Sequence, residues 1–345
     1  MSAGIAGASR LGRVSIELVG RRPEVAPEQL IAALVPPPHF ASASFDSYVP
    51  DPAHPSQGAA LAEVREFAAP HLRRFRSRKG PGIGLYLDGG FGVGKTHLLA
   101  SLAHALGPSR AAFGTFVEYT NLVGALGFAK AREALSEFGV VCIDEFELDD
   151  PGDTLIMARL MRELTDAGTC VAATSNTLPD ALGEGRFAAD DFQREIQAVA
   201  RVFETVRIDG PDYRHRGSLD FPAPSSDEVL AELAAGDGGA SVTWDALVAD
   251  LVHVHPSRYG AYVDGVERLA ISGVAPLEDQ NQALRVVALV DRLYDRDAVV
   301  AASGVPLPEV FTPEMMRGGY RKKYLRALSR LESMAHAALE HTRPV

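Results

Sequence analysis

Between the apolar run LYLD and the helix-length run HLLASLAHAL lies the octapeptide GGFGVGKT, residues 89–96. In it Gly89 and Gly94 bracket four residues and Lys95 and Thr96 follow at once. Glycines at 89, 90, 92 and 94 lack the Cβ atoms that would block a tight turn. Successive N–H groups can then face inward, and the following helix adds its positive end. A loop of this kind, fed by a strand and opening a helix, cradles phosphate. Lys95 is placed to reach the β- and γ-phosphates of ATP, and the Thr96 hydroxyl to ligate Mg2+. The candidate nucleotide site is therefore Gly89, Gly90, Phe91, Gly92, Val93, Gly94, Lys95, Thr96 and His97.

The loop opens a longer pattern. From Gly82 to about Gly210, the apolar runs IGLYLDG, AAFGTFVEY, GVVCIDEF, GTCVAATSN and VFETVRIDG alternate with the helix-length segments HLLASLAHALG, NLVGALGFAKAREALSEFG and TLIMARLMRELTDAG. Strands separated by helices need crossovers, which predicts an α/β fold with a mostly parallel sheet covered on both faces. Residues 1–80 read as an N-terminal arm with helices expected over 27–34 and 56–74. Residues 81–220 form the nucleotide-binding core, and residues 221–345 a mainly helical appendage. Within the appendage, helices are expected over TWDALVADLVHVH, GAYVDGVERLA, NQALRVVALVDRLYD and YRKKYLRALSRLESMAHAALEH, with LAISGV and AVVAASGV as two short strands.

Two further strand ends carry chemistry. VVCIDE sets Asp144 and Glu145 at the tip of an apolar strand. There an aspartate holds the metal, and an adjacent glutamate is suited to act as general base on the attacking water. The pair points to hydrolysis rather than nucleotide storage. CVAATSN ends in a polar triplet that puts Asn176 at the same sheet edge, as a sensor for that water or a γ-phosphate oxygen. Arginines often complete charge neutralisation in such sites. Arg186 is preferred over Arg194 as the residue supplied to a neighbouring subunit, and Arg201 lies just before the fifth strand. Arg285, at the start of an appendage helix, is the candidate lid sensor; an ordinary surface charge is the alternative.

Composition removes several function classes. The 345-residue chain has 34 Lys plus Arg against 45 Asp plus Glu, a net charge of −11, so a globally basic surface for nucleic acid or anionic membrane is excluded. Local basic runs remain at 73–79 and 321–330, each read as a solvated helix face or end with an acidic or polynucleotide partner as the rival. Cys142 and Cys170 sit in apolar runs and read as reduced core thiols. No run reaches the length of a membrane span and no secretory leader is evident, which predicts a cytoplasmic protein. His253 and His255 alternate as a strand-borne metal pair would, but no companion ligands converge in sequence, so they read as structural. Asp149, Asp150 and Asp153 flank a Pro-Gly turn and read as helix caps.

The strings GLYLDGGFGVGKTHLL, VCIDEFELDDPGDTLIMARLMREL, CVAATSNTLPDAL, DYR at 212–214, RLYDR and RALSRLESM together resemble the ZapE, or AFG-one-like, ATPases, a branch of the AAA+ class. The resemblance spans about residues 27–334. It implies a P-loop core with strand order 5-1-4-3-2, a C-terminal lid, Mg2+-dependent ATP hydrolysis, and action as a ring or transient oligomer. It also implies a protein partner, in bacteria the tubulin-like division protein FtsZ, and recruitment to the division site or the inner face of the membrane. Two alternatives share the layout: a helicase-loader-like ATPase on nucleic acid, which the acidic total disfavours, and extraction or quality control of membrane proteins. A nucleotide-bound scaffold that rarely hydrolyses is disfavoured by Glu145 and Asn176. The chain departs from the family at AAFGTFVEY, at GRFAADDFQREI and at HVHPSRYGAYVDG. These departures bear on the trans-acting arginine and on the partner, not on the phosphate chemistry.

Overall fold

The computed structural model describes residues 15–72, 80–90, 92–146, 151–177, 200–201, 203–210 and 220–342. Strands β1 (Gly84–Gly89), β2 (Ala111–Thr115), β3 (Val140–Asp144), β4 (Cys170–Ser175) and β5 (Phe203–Ile208) form one sheet. Every pairing in it is parallel and the order is β2-β3-β4-β1-β5, the expected 5-1-4-3-2 order read from the other edge. Strand alternation sends Tyr86, Val141 and Ile143 to one face and Leu85, Leu87, Val140 and Cys142 to the other. Cys142 and Cys170 are free and buried.

Each face has its own helices. α2 (Pro55–Leu72) and α3 (Lys95–Leu106) bury Val64, Phe67, Leu98, Leu99 and Leu102 against the second face. α4 (Phe116–Leu126), α5 (Phe128–Ser136) and α6 (Pro151–Asp166) cover the first with Tyr119, Leu135, Met157 and Leu160. The single helix expected over 121–139 is instead the pair α4 and α5, broken at Gly127 with φ 77°. α4 also starts early, at Phe116, because Thr115 and Glu118 form a capping box that ends β2 after five residues.

The C-terminal region is mainly helical, with α7 (Asp227–Leu233), α8 (Trp244–Leu251), α9 (Tyr259–Tyr262), α10 (Gln280–Tyr294) and α11 (Arg321–His341). It also contains a parallel sheet of three strands, β6 (Gly239–Thr243), β7 (Arg268–Val274) and β8 (Val299–Gly304), in sequence order. β7 and β8 are the two strands expected from LAISGV and AVVAASGV; β6 was not expected. The helix expected over GAYVDGVERLA shrinks to the four residues of α9. Gly265, at φ 78°, then turns the chain, and β7 begins at Arg268.

The N-terminal segment is stitched to both regions. Ile16 bridges Ala240 on β6, Leu18 is buried in the C-terminal core, and Arg22 pairs with Asp250 at 2.8 Å. After α1 (Pro27–Ala32), the Leu34 carbonyl accepts the Phe113 N–H at 2.8 Å on the free edge of β2. Among the described residues, no helix is long and apolar enough to cross a membrane.

Candidate active site

Because β1, β3 and β4 run parallel, their C-terminal ends lie together at one end of the sheet, where ligands of open α/β sheets bind. Gly89 closes β1 so near to β5 that a Cβ there would stand 2.3 Å from the Ile208 carbonyl oxygen. Gly92 and Gly94 adopt φ of 79° and 88°, the left-handed region that side chains disfavour. Gly94 is the N-cap of α3, and a Cβ on it would meet the Tyr48 ring at 2.4 Å. The Tyr48 hydroxyl donates to the Val93 carbonyl at 3.0 Å, so the arm braces the outer side of the loop.

Lys95 turns back over this loop. Its Nζ donates to the carbonyls of Gly89 (2.9 Å) and Gly90 (2.5 Å) and to Asn176 Oδ1 (2.8 Å), which brings the loop and the end of β4 together. The Thr96 hydroxyl donates to Asp144 Oδ1 at 3.1 Å, and the Thr174 hydroxyl donates to the same oxygen. Burial, and then the charge of Glu145, push the Asp144 carboxyl up to about 6, although both hydroxyl bonds pull it down. His97 is engaged elsewhere, its Nε2 lying 2.9 Å from Ser47 Oγ and 3.2 Å from the Ser44 carbonyl oxygen.

Glu145 occupies a forced backbone position. Its φ is 54°, one of two positive values among the described non-glycine residues. The residues around it explain why. The Glu145 N–H donates to Thr174 Oγ1 at 3.1 Å and the Phe146 N–H to the Thr174 carbonyl at 2.7 Å. Phe146 is fully buried among Tyr86, Phe116 and Phe203. Asp144 and Phe146 are thus both fixed, and the residue between them absorbs the turn.

The Glu145 carboxylate leaves the sheet and meets the C-terminal region. Arg326 Nη1 lies 2.6 Å from its Oε2 and Arg330 Nη2 lies 3.3 Å from its Oε1. Both guanidiniums also pair with Asp291 of α10, Arg326 at 2.8 Å. Burial alone raises a carboxyl group, but Arg326, Arg330 and Arg292 hold Asp291 below its ordinary range. Arg292 in turn joins Glu118, the capping residue of α4, at 2.7 Å.

The residues expected from sequence therefore divide. Gly89, Gly90, Gly92, Gly94, Lys95, Thr96, Asp144, Glu145 and Asn176 converge, with Asn176 bonded to Lys95. The Val93 carbonyl and the His97 ring meet the arm. Arg285 does not join the cluster: its Nη1 donates to the carbonyls of Leu251 (2.9 Å) and Val254 (3.1 Å) and approaches the Tyr259 hydroxyl (3.4 Å), tying α10 to the end of α8. His255 engages Ser257 Oγ at 2.8 Å. Phe91, Arg186, Arg194, Asp149, Asp150 and the basic run 73–79 lie outside the described residues. Sequence reading missed Tyr48, Thr174, Asp291 and the inward turn of Arg326 and Arg330. Those two arginines stand four apart in RALSR, and Asp291 immediately precedes RLYDR, so the signal was present in strings already singled out.

The AFG1-like ATPase family model matches residues 24–236 and 230–342. The cell division protein ZapE of Escherichia coli K12 is 27% identical over 305 residues, covering 76% of this chain and 80% of that protein. An uncharacterised protein of Schizosaccharomyces pombe is 24% identical over 336 residues, covering 77% and 72%. Among solved structures, the replication initiator DnaA bound to AMPPCP and single-stranded DNA covers 87% of this chain and 91% of its own, at 12% identity and a TM-score of 0.40.

Proposed function

The chain belongs to the AFG1-like ATPase family, with a P-loop core of the AAA+ type, and we propose that it hydrolyses ATP with Mg2+ to remodel a protein partner in cell division. The observation that carries this reading is the convergence at one sheet edge of two hydrogen-bonded pairs, Lys95 with Asn176 and Thr96 with Asp144, with Glu145 directly beside them. Thr96 and Asp144 present two hard oxygen donors 3.1 Å apart, and the buried Asp144 carboxyl is one whose charged form gains from a nearby cation, so the pair suits Mg2+. When bound there, the metal neutralises charge on the β- and γ-phosphates.

The chain's own groups divide the remaining work. The glycine loop N–H groups and Lys95 Nζ hold phosphate oxygens, with Lys95 exchanging its carbonyl partners for them. Glu145 takes the proton from the attacking water at a carboxylate oxygen, and Asn176 orients that water or a γ-phosphate oxygen. We assign the phosphate chemistry to residues 81–220 and the lid to residues 221–345, with Arg186 or Arg194 supplied to a neighbour in a ring or transient oligomer. The name of the E. coli relative supports the division role. The tubulin-like protein FtsZ is the partner that the family resemblance implies.

Glu145→Gln tests the reading. Turnover is expected to fall roughly 10²- to 10⁴-fold with ATP binding kept, as measured by phosphate release and equilibrium binding; unchanged turnover rejects Glu145 as the base. The same variant, loaded with ATP, is then offered the tubulin-like protein, lipid vesicles or DNA. ATP-dependent capture of the tubulin-like protein is expected, and capture of DNA alone overturns the protein-remodelling reading.

A further inference from the structure

Arg326 and Arg330 stand one helical turn apart on α11, so their side chains project from the same face. Each guanidinium touches two carboxylates, Glu145 from the core and Asp291 from α10. The four groups are mostly withdrawn from solvent, with 10% of the Arg326 side chain and 22% of the Glu145 side chain exposed. At that burial a charge left without a partner is costly, and the ion pairs are correspondingly hard to break one at a time.

The arrangement has a direct consequence for Glu145. Each of its carboxylate oxygens is paired with an arginine, and an oxygen engaged by a guanidinium is a weaker base towards the water that it is to deprotonate. Its backbone gives no escape, because Thr174 and the buried Phe146 fix the turn that aims it at the lid. The two carboxylates are also unequal partners. Asp291 belongs to the same region as the arginines and travels with them; Glu145 is the core's contribution. If Glu145 leaves, each guanidinium keeps Asp291 as its paired carboxylate and has its other N–H groups freed, in a forked geometry that suits a phosphate oxygen cluster. Glu145 is next in the chain to Asp144, which binds the first turn of the helix behind the phosphate loop, so such a phosphate would arrive beside it.

We propose that Arg326 and Arg330 form an autoinhibitory latch on Glu145, opened when the terminal phosphate of a bound nucleoside triphosphate takes the place of Glu145 between them. This rests on Glu145 being the base. Asp291 is the positioning residue that keeps the two arginines aligned in both arrangements. The latch couples base release to phosphate arrival, and water entering an empty site meets a glutamate that is already engaged.

The test measures binding of β,γ-methylene-ATP with Mg2+ to four full-length proteins: wild type, Glu145→Gln, the double variant Arg326→Gln/Arg330→Gln, and the triple variant. Without the ion pairs to break, Glu145→Gln should bind the analogue on the order of tenfold more tightly than wild type. That gain should vanish when the triple variant is compared with the double. Equal affinity of wild type and Glu145→Gln overturns the latch. So does a gain of the same size without the arginines, which assigns it to simple repulsion between Glu145 and phosphate. Should the double variant fail to fold, amide hydrogen exchange over 321–335 decides. Exchange should be faster in Glu145→Gln than in wild type without nucleotide and alike once the analogue is added, and no difference without nucleotide overturns the proposal. Because the analogue is not hydrolysed, a failed base assignment shows only in turnover, and a failed latch only in affinity or exchange.

Discussion

At the sheet edge, Lys95 bonds Asn176 while Thr96 and Thr174 both bond Asp144, all inside one region; the pairing of β3 and β4 fixes the backbones of Asp144 and Thr174, and the first turn of α3 those of Lys95 and Thr96. Facing the C-terminal region, Glu145, Asp291, Arg326 and Arg330 are joined by ion pairs between regions, with Arg330 lying 185 positions from Glu145 in the chain. The first cluster keeps its geometry when one member is lost, because the sheet still holds the others. The second has no such scaffold. Its charges hold one another, so losing one strands the rest in a poorly solvated place. Substitutions in the first should therefore act on chemistry and substitution of Asp291 in the second on stability, while Glu145, which stands between the two clusters, should act on both.

Lys95→Met gives the largest expected effect on the chemical side. Removing the ammonium from the phosphate loop should lower phosphate release by about 10³-fold or more, while the urea unfolding midpoint moves little. A large loss of stability with this variant would break the contrast, because Lys95 would then be a structural tie between β4 and the loop. Asp291→Ala is the counterpart. It leaves Arg326 and Arg330 with one carboxylate between them and should cost about 3–5 kcal/mol in urea unfolding. A cost below about 1 kcal/mol would mean that solvent screens the cluster as it does surface pairs.

The same contrast decides what could be read from residues alone. The phosphate loop, Asp144, Glu145 and Asn176 were legible because each is a short pattern at a strand end, where the local residues dictate geometry and the parallel sheet collects the ends. Thr174 lay inside the CVAATSN triplet but carries no chemistry of its own; its role appears only when β3 and β4 are neighbours. Arg326 and Arg330 on α11 read as a solvated basic face, since arginines four apart on a helix look alike whether they face water or carboxylates far away in the chain. Asp291 was hidden for the same reason. β6 was obscured by its neighbours, being five residues with Gly239 and Ala240 at its start and running directly into α8 through the Thr243 cap. Sheet edges shared with the arm, at Ile16 and Leu34, depend on pairings between distant segments that hydrophobic periodicity does not encode.

The smallest effect lies within the ion-pair cluster itself, where two carboxylates four residues apart should respond to pH with different windows. Asp295 caps the C-terminal end of α10, and burial raises its carboxyl to about 6 even though Arg292 and Arg330 pull it down. Its folded value lies above its unfolded one, so its contribution to stability is complete below the ordinary carboxylate range and is lost as pH rises through about 6. Asp291 has the opposite sign: Arg326, Arg330 and Arg292 overcome burial and hold it low, so its contribution is present above the ordinary range and lost as the solution becomes strongly acidic. Comparing each Asn variant with wild type from pH 3 to 7 separates the two. The Asp295→Asn protein should gain about 1–3 kcal/mol on wild type between pH 4 and 7. The Asp291→Asn deficit should stay constant from about pH 5 upward and narrow as pH falls through the ordinary carboxylate range. Parallel curves would mean that the arginines do not distinguish the two carboxylates, and Asp291 would lose its place as the group that holds Arg326 and Arg330 in line.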